Sequence, residues 1–162
     1  MGKIKFIAEK KSKTASINLN GAIENVFPLF GAFEERKWAR GFDAELIYPA
    51  TEVIEEGTIF KTDSRGFGEP EFIWRVLKCD AEKHLVEYLV YTENRQWTIT
   101  IKCNSLAENK TEAQITYSFI GLNEKGNELN KQIIQDMYHY NLKDWEEEMN
   151  TYLETGISLH SA

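Results

Sequence analysis

Gln96-Trp97-Thr98-Ile99-Thr100-Ile101-Lys102-Cys103 and Glu112-Ala113-Gln114-Ile115-Thr116-Tyr117-Ser118-Phe119 are the two stretches that decide the fold. In each, polar and apolar residues alternate one by one. A strand turns successive side chains to opposite faces, so strict alternation demands one dry face and one wet face. The turn signals at Ala107–Lys110 between them make the pair an antiparallel hairpin.

The same period runs outward from this hairpin. Val86, Tyr88 and Val90 alternate with Leu85, Glu87 and Leu89, and Phe72, Trp74 and Val76 alternate with Ile73, Arg75 and Leu77. Thr58–Thr62 follows a Glu56-Gly57 turn, and Leu46 and Tyr48 precede Pro49. Turn residues at Ser64–Pro70, Asp80–Lys83 and Glu93-Asn94 separate the runs, so the sequence predicts a meander of hairpins from about residue 43 to 121. Upstream, Ile17 and Leu19 alternate with polar neighbours and Asn20-Gly21 ends the strand. Ile23, Val26, Phe27 and Phe30 then follow at helical spacing, shortened by Pro28. A second short helix runs through Glu34–Lys37 and ends near Gly41.

Downstream, the spacing predicts one helix from about Glu124 to Thr155, closed by Gly156 as its C-cap. Ile134, Tyr138, Leu142, Trp145, Met149, Tyr152 and Leu153 form one apolar stripe on it. Leu129, Ile133, Met137 and Tyr140 form a second, confined to its first half. A helix lying on a sheet needs only one stripe. The wider half therefore has extra surface to bury against the short helices, a ligand or another subunit.

Composition excludes several functions. The chain has 162 residues, with 19 Lys+Arg against 26 Asp+Glu and a net charge of −7. That balance repels phosphate backbones, so no nucleic-acid partner is expected. The length, without linker or repeat, suits one domain over 1–162. No apolar run approaches the roughly 18 residues of a membrane span, so no stable membrane insertion is expected. No apolar stretch follows the basic N-terminal residues, which makes the cytoplasm the expected compartment. Cys79 and Cys103 lack a Cys-x-x-Cys spacing and read as small buried residues in a reducing environment. His84, His139 and His160 share no ligand spacing, so neither metal nor cofactor is expected. No nucleophile motif occurs. The carboxylate runs Glu34-Glu35, Glu55-Glu56 and Glu146–Glu148 read as solvated faces, and no catalytic residue is assigned.

The order strand, two short helices, about six strands, long helix leaves room inside. One helix is about 10 Å wide with its side chains, too narrow to fill a wide curled sheet. Phe60, Phe72, Trp74, Tyr88, Trp97, Tyr117 and Phe119 point inward and either fill the remainder or line a cavity. Ile133, Ile134, Met137 and Tyr138 would form the helical wall. Trp38, beside a connection, either anchors the second short helix to the sheet or lines the cavity, and Phe42, also beside a connection, is a further candidate for the lining. Phe67, at the tip of Gly66-Phe67-Gly68, could cover the mouth, with Arg65 beside it to meet an anionic head group.

Several local phrases carry a resemblance: Ile23-Glu24-Asn25-Val26-Phe27-Pro28-Leu29-Phe30, Glu35-Arg36-Lys37-Trp38-Ala39-Arg40-Gly41-Phe42-Asp43, Leu46-Ile47-Tyr48-Pro49, Gly57-Thr58-Ile59-Phe60 and Gly126-Asn127. With the element order, they make the chain from about Ile17 to Gly156 resemble the START-like (SRPBCC) superfamily. This is the helix-grip or birch-pollen-allergen-type group, with its polyketide cyclases and lipid-transfer domains. The resemblance implies an α+β helix-grip fold: a curved antiparallel sheet of six to seven strands wrapped around a long C-terminal helix, with two short helices after the first strand. It also implies a hydrophobic ligand, lipid-like or aromatic, between sheet and helix. It carries over no catalytic motif.

Three functions follow as expectations. The first is a binding module for a hydrophobic small molecule. The second is a cyclase- or hydratase-like enzyme in the same cavity, which needs an interior acid or base; Glu87 and Arg75 fall on the wet side. The third is a homodimeric interaction module using Leu85, Leu89 and Tyr91 on the outer face.

Overall fold

A computed structural model describes residues 5–39, 42–63, 69–137 and 142–158, with only the backbone described for 136 and 137. The elements are β1 (Lys10–Leu19), α1 (Ile23–Val26), two 3-10 turns (Phe27–Phe30 and Glu35–Lys37), β2 (Glu45–Tyr48), β3 (Ile59–Asp63), β4 (Glu71–Asp80), β5 (Leu85–Tyr91), β6 (Arg95–Ala107), β7 (Lys110–Gly121), α2 (Glu124–Met137) and α3 (Lys143–Thr155). The strands form one antiparallel sheet in the order β1-β7-β6-β5-β4-β3-β2. The meander expected from the alternation is present, and β1 joins its far edge beside β7. Pro28 stands in the first turn of its 3-10 helix, where its missing N–H costs nothing.

Register converts sequence alternation into rows across the covered face. Phe60 pairs with Trp74, Trp74 with Val90, Val90 with Trp97 and Trp97 with Phe119. One step along, Val76 pairs with Tyr88, Tyr88 with Ile99 and Ile99 with Tyr117. Directly paired residues share a face, so each row presents a line of large side chains to the same interior. Further along, Val86, Ile101 and Ile115 make a third row that is wholly buried. Sheet strands twist, and these rows run around the inside of a curved wall.

The C-terminal helical region supplies the cover. α2 crosses from β6 and β7 towards β1. α3 is fastened to the end of β1: Asn18 N–H donates to Glu146 Oε2 (2.8 Å), Asn20 N–H to Asn150 Oδ1 (2.8 Å), and Asn150 Nδ2 to the Asn18 carbonyl (3.1 Å). These bonds occupy backbone groups that an edge strand would otherwise leave open. Gly156 closes α3 at φ 73°, its N–H donating to the Tyr152 carbonyl at 2.7 Å, as a left-handed C-cap requires. Residues 138–141, on which the continuity of the expected single helix depends, lie outside the described residues. Among the described residues no helix is long and apolar enough to cross a membrane.

Three expectations need correction. Cys103 is buried but Cys79 is exposed. Cys79 lies opposite Val86, after a register shift between Val76 and Lys78, and β3 pairs with β4 only from Glu71 to Arg75. This end of β4 is therefore an edge. Glu35, read as part of a solvated run, is only 6% exposed. Glu148 is also buried, because Trp145, Glu148, Met149 and Tyr152 recur at the three- and four-residue spacing of one helix face.

Candidate functional site

The covered face divides into two aromatic clusters joined by the rows. In the first, Phe60 stacks on Trp74 (ring centroids 5.3 Å apart), and Tyr88 meets both edge-on. Phe33 and Phe42 flank them, Phe42 edge-on to Trp74 at 5.8 Å. In the second, Tyr117 stacks on Phe119 (5.7 Å), Phe119 lies tilted against Trp97 (5.8 Å), and Phe72 meets Trp97 edge-on (5.0 Å). Two polar ends are engaged: Tyr88 Oη donates to the Phe30 carbonyl (2.8 Å) and Trp74 Nε1 to Thr62 Oγ1 (2.9 Å). Burial, reinforced by the charge of Glu35, pushes the Tyr88 phenol well above its ordinary range and raises Tyr117 as well. One buried carboxylate thus reaches two interior phenols.

Beside the second cluster, at the start of β6, a buried ion pair replaces the aromatics. Arg95 continues the inward phase of Trp97 and Ile99, and its guanidinium lies 4.4 Å from the Trp97 centroid and 5.6 Å from that of Phe72. Arg95 Nη2 and Nε meet Glu69 Oε1 at 2.9 and 3.0 Å, with side-chain exposures of 1% and 0%. Thr92 Oγ1 and Asn94 Nδ2 donate to Glu69 Oε2, so the carboxylate is well supplied with donors. Burial pulls the Arg95 pKa below its ordinary value, with Glu69 opposing that shift. The pair ties the β3–β4 connection to the start of β6.

The helical wall comes from α2. Its seam towards the sheet runs through Gly126, Asn130, Ile133 and Ile134. Gly126 is in close contact with the Asn94 carbonyl and with Arg95 Cβ. Lys13, which pairs with Tyr117 on the covered side of β1, donates from Nζ to the Ile134 carbonyl at 3.4 Å. Phe72, Trp74, Ile133 and Ile134 face this interior and yet stay only partly buried.

Of the other residues selected from sequence, Trp38 is fully buried, donates from Nε1 to the Leu29 carbonyl (2.8 Å), and contacts Phe30 and Trp145 edge-on. Phe60, Tyr88, Trp97, Tyr117 and Phe119 are buried on the covered face, and Phe42 is half-buried beside Trp74. Met137 ends α2, while Phe67, Arg65 and Tyr138 lie outside the described residues, as do Gly41, Tyr140, His139 and His160. His84 sits in the β4–β5 turn at φ 53°. Leu85 and Leu89 are half-buried on the outer face and Tyr91 is exposed.

Sequence reading missed Glu35, Glu69, Arg95 and Asn130. Arg95 carried a usable signal, since it is in phase with Trp97, and so did Asn130, which shares the helix face of Ile133 and Ile134. Glu69 gave none, because its burial depends on a residue that arrives from another hairpin. A separate groove of about 660 Å³ lies near β2, lined by Arg36, Asp43, Glu52, Lys61 and Glu71 among others. Its cations are paired with neighbouring carboxylates, Arg36 with Asp43 and Glu52 and Lys61 with Glu71. It offers little to an apolar guest.

No protein-family model matches the chain, and no curated protein matches it. Solved structures do. Norcoclaurine synthase from Thalictrum flavum, in complex with dopamine and hydroxybenzaldehyde, aligns at a TM-score of 0.68 with 11% identity, over 91% of this chain and 88% of that one. The Zhui aromatase/cyclase from Streptomyces sp. R1128 aligns at 0.68 with 9% identity, over 91% and 98%. Ara h 8.0201 aligns at 0.67 with 12% identity, over 90% and 99%. At such identities the shared feature is the path of the backbone, and that path, an antiparallel sheet gripping a C-terminal helical cover, is the START-like, SRPBCC-type helix-grip fold.

Proposed function

We propose that this protein binds a hydrophobic small molecule, lipid-like or aromatic, between its curved sheet and its C-terminal helices. One observation carries the reading. Phe72 and Trp74 from the sheet, and Ile133 and Ile134 from α2, pack against the core and yet stay only partly buried. A core built only for stability would close over such side chains, each worth about 1.5–3 kcal/mol when fully buried. A guest would complete that burial, oriented by Trp97 and Tyr117 on one side and by Trp74 and Tyr88 on the other. The similar structures include a protein captured with dopamine and hydroxybenzaldehyde and an aromatase/cyclase, which supports the same ligand class.

Native mass spectrometry of the protein purified from its own host tests this. A co-purifying organic mass is expected, together with a raised thermal midpoint for members of a lipid and aromatic panel. At a free ligand concentration of about 100 Kd the gain is roughly 2.7 kcal/mol. An empty protein whose midpoint no panel compound moves would refute the reading.

Glu35 favours a second reading, a cyclase- or hydratase-like enzyme in the same hollow. It is a buried carboxylate whose charge reaches the Tyr88 and Tyr117 phenols, and interior acid–base pairs are what such chemistry needs. Incubation of the co-purified compound with wild type and with Glu35→Gln decides it. Loss or gain of water by the compound with wild type alone supports catalysis; no mass change with either protein removes it.

A further inference from the structure

The innermost described position of α2 is held by a polar residue. Asn130 is 2% exposed, and neither Nδ2 nor Oδ1 has a hydrogen-bond partner among the described residues. Buried side-chain amides are nearly always hydrogen-bonded, and an apolar residue of similar volume would seal this seam better.

Two contacts fix its level. Gly126, one turn earlier on the same face, lies on the Asn94 carbonyl and Arg95 Cβ, and the Ile134 carbonyl, one turn later, receives Lys13 from the strand position opposite Tyr117. Four residues of helix advance about 6 Å, close to the step between one strand row and the next. Asn130 is therefore level with the Trp97–Phe119 pair, between the Arg95 row and the Tyr117 row. The charges on either side are already engaged: Arg95 with Glu69, and Lys13 with the helix carbonyl. Nothing at this level calls for an ionic guest.

We infer that Asn130 is the polar anchor of the ligand. The inference rests on the ligand-binding reading above. Nδ2 donates to an oxygen of the guest and Oδ1 accepts from its N–H or O–H. A carboxamide presents one donor face and one acceptor face side by side. The guest is thus an otherwise apolar molecule carrying one neutral donor–acceptor group: a primary or secondary amide, a lactam, or a hydroxyl beside a carbonyl.

The test compares two probes of one shape, naphthamide and isopropylnaphthalene, on wild type and Asn130→Leu, with binding followed by tryptophan fluorescence and by calorimetry. The expected result is that Asn130→Leu weakens naphthamide about tenfold, as loss of one or two neutral hydrogen bonds implies, and leaves isopropylnaphthalene unchanged or tighter. The unliganded variant should melt no lower than wild type, because a buried polar group without a partner has been removed. Equal change for both probes, or none for either, overturns the anchor and leaves the ligand-binding reading standing. A lower midpoint with equal weakening of both probes marks Asn130 as a packing residue and also overturns it. If wild type binds neither probe, the anchor and the reading beneath it both fail. Should Asn130→Leu not fold, Asn130→Ala carries the same comparison.

Discussion

Gly126→Ala isolates the contact that sets α2 on the sheet. A Cβ added at Gly126 would fall 2.8 Å from the Asn94 carbonyl carbon, nearer still to its oxygen, and 3.3 Å from Arg95 Cβ. Carbon atoms in ordinary contact are about 3.5–4.0 Å apart, so the first turns of α2 would have to withdraw by about 1 Å. Three hydrogen bonds depend on the present approach: Leu122 N–H to the Asn94 carbonyl (2.7 Å), Gly126 N–H to Asn123 Oδ1 (2.9 Å), and Asn123 Nδ2 to Asn94 Oδ1 (2.9 Å). Overpacking of this kind costs about 1–3 kcal/mol. Weakening of these bonds adds about 1 kcal/mol, and the better helix propensity of alanine returns about 1 kcal/mol. The net expectation is a loss of about 1–3 kcal/mol, or some 2–4 °C of melting temperature per kcal/mol. Urea unfolding followed by circular dichroism measures it, and an unchanged slope assigns the loss to the folded state. If the variant proves as stable as wild type, or more stable by the alanine propensity, the helix does not rest on Asn94 and the placement of Asn130 loses its first reference point.

Two further outcomes follow from the interior charges and phenols. Arg95→Met leaves Glu69 buried without its cation and should cost about 3–5 kcal/mol, much of it recovered when Glu69→Leu is added; additive losses in the double variant, measured by denaturant unfolding, would show that the two side chains do not act as a pair. The raised phenols of Tyr88 and Tyr117 favour the neutral form in the folded chain. Their contribution is fully present below the ordinary tyrosine pKa of about 10 and is lost as pH rises above it. Tyr117→Phe should therefore lose less stability than wild type between about pH 9 and about pH 11, and an identical pH slope for the two proteins would contradict the burial of that hydroxyl.

The architecture was legible before any coordinates because it depends on local periodicity. Alternation from Trp97 to Cys103 and from Ala113 to Phe119 assigned their inward faces, and Gly156 marked the end of the last helix through a backbone conformation that glycine adopts at little cost. Those signals lie within one strand or one turn. Glu35 and Glu69 were not legible in the same way. A glutamate reads as solvated until a distant partner or interior is known, and Glu69 meets Arg95 across 26 residues. Cys79 shows the reverse case: a small apolar residue in a strand reads as buried, and the limited reach of β3 left it exposed.

What the sequence by itself determined is the order of elements and the dry side of each strand, since side-chain periodicity is a property of the chain's own geometry. Only the tertiary structure decided which polar groups share the interior. Desolvation and pairing are properties of space between elements, and they appear when β6, the β3–β4 connection and α2 converge on Arg95, Glu69 and Asn130.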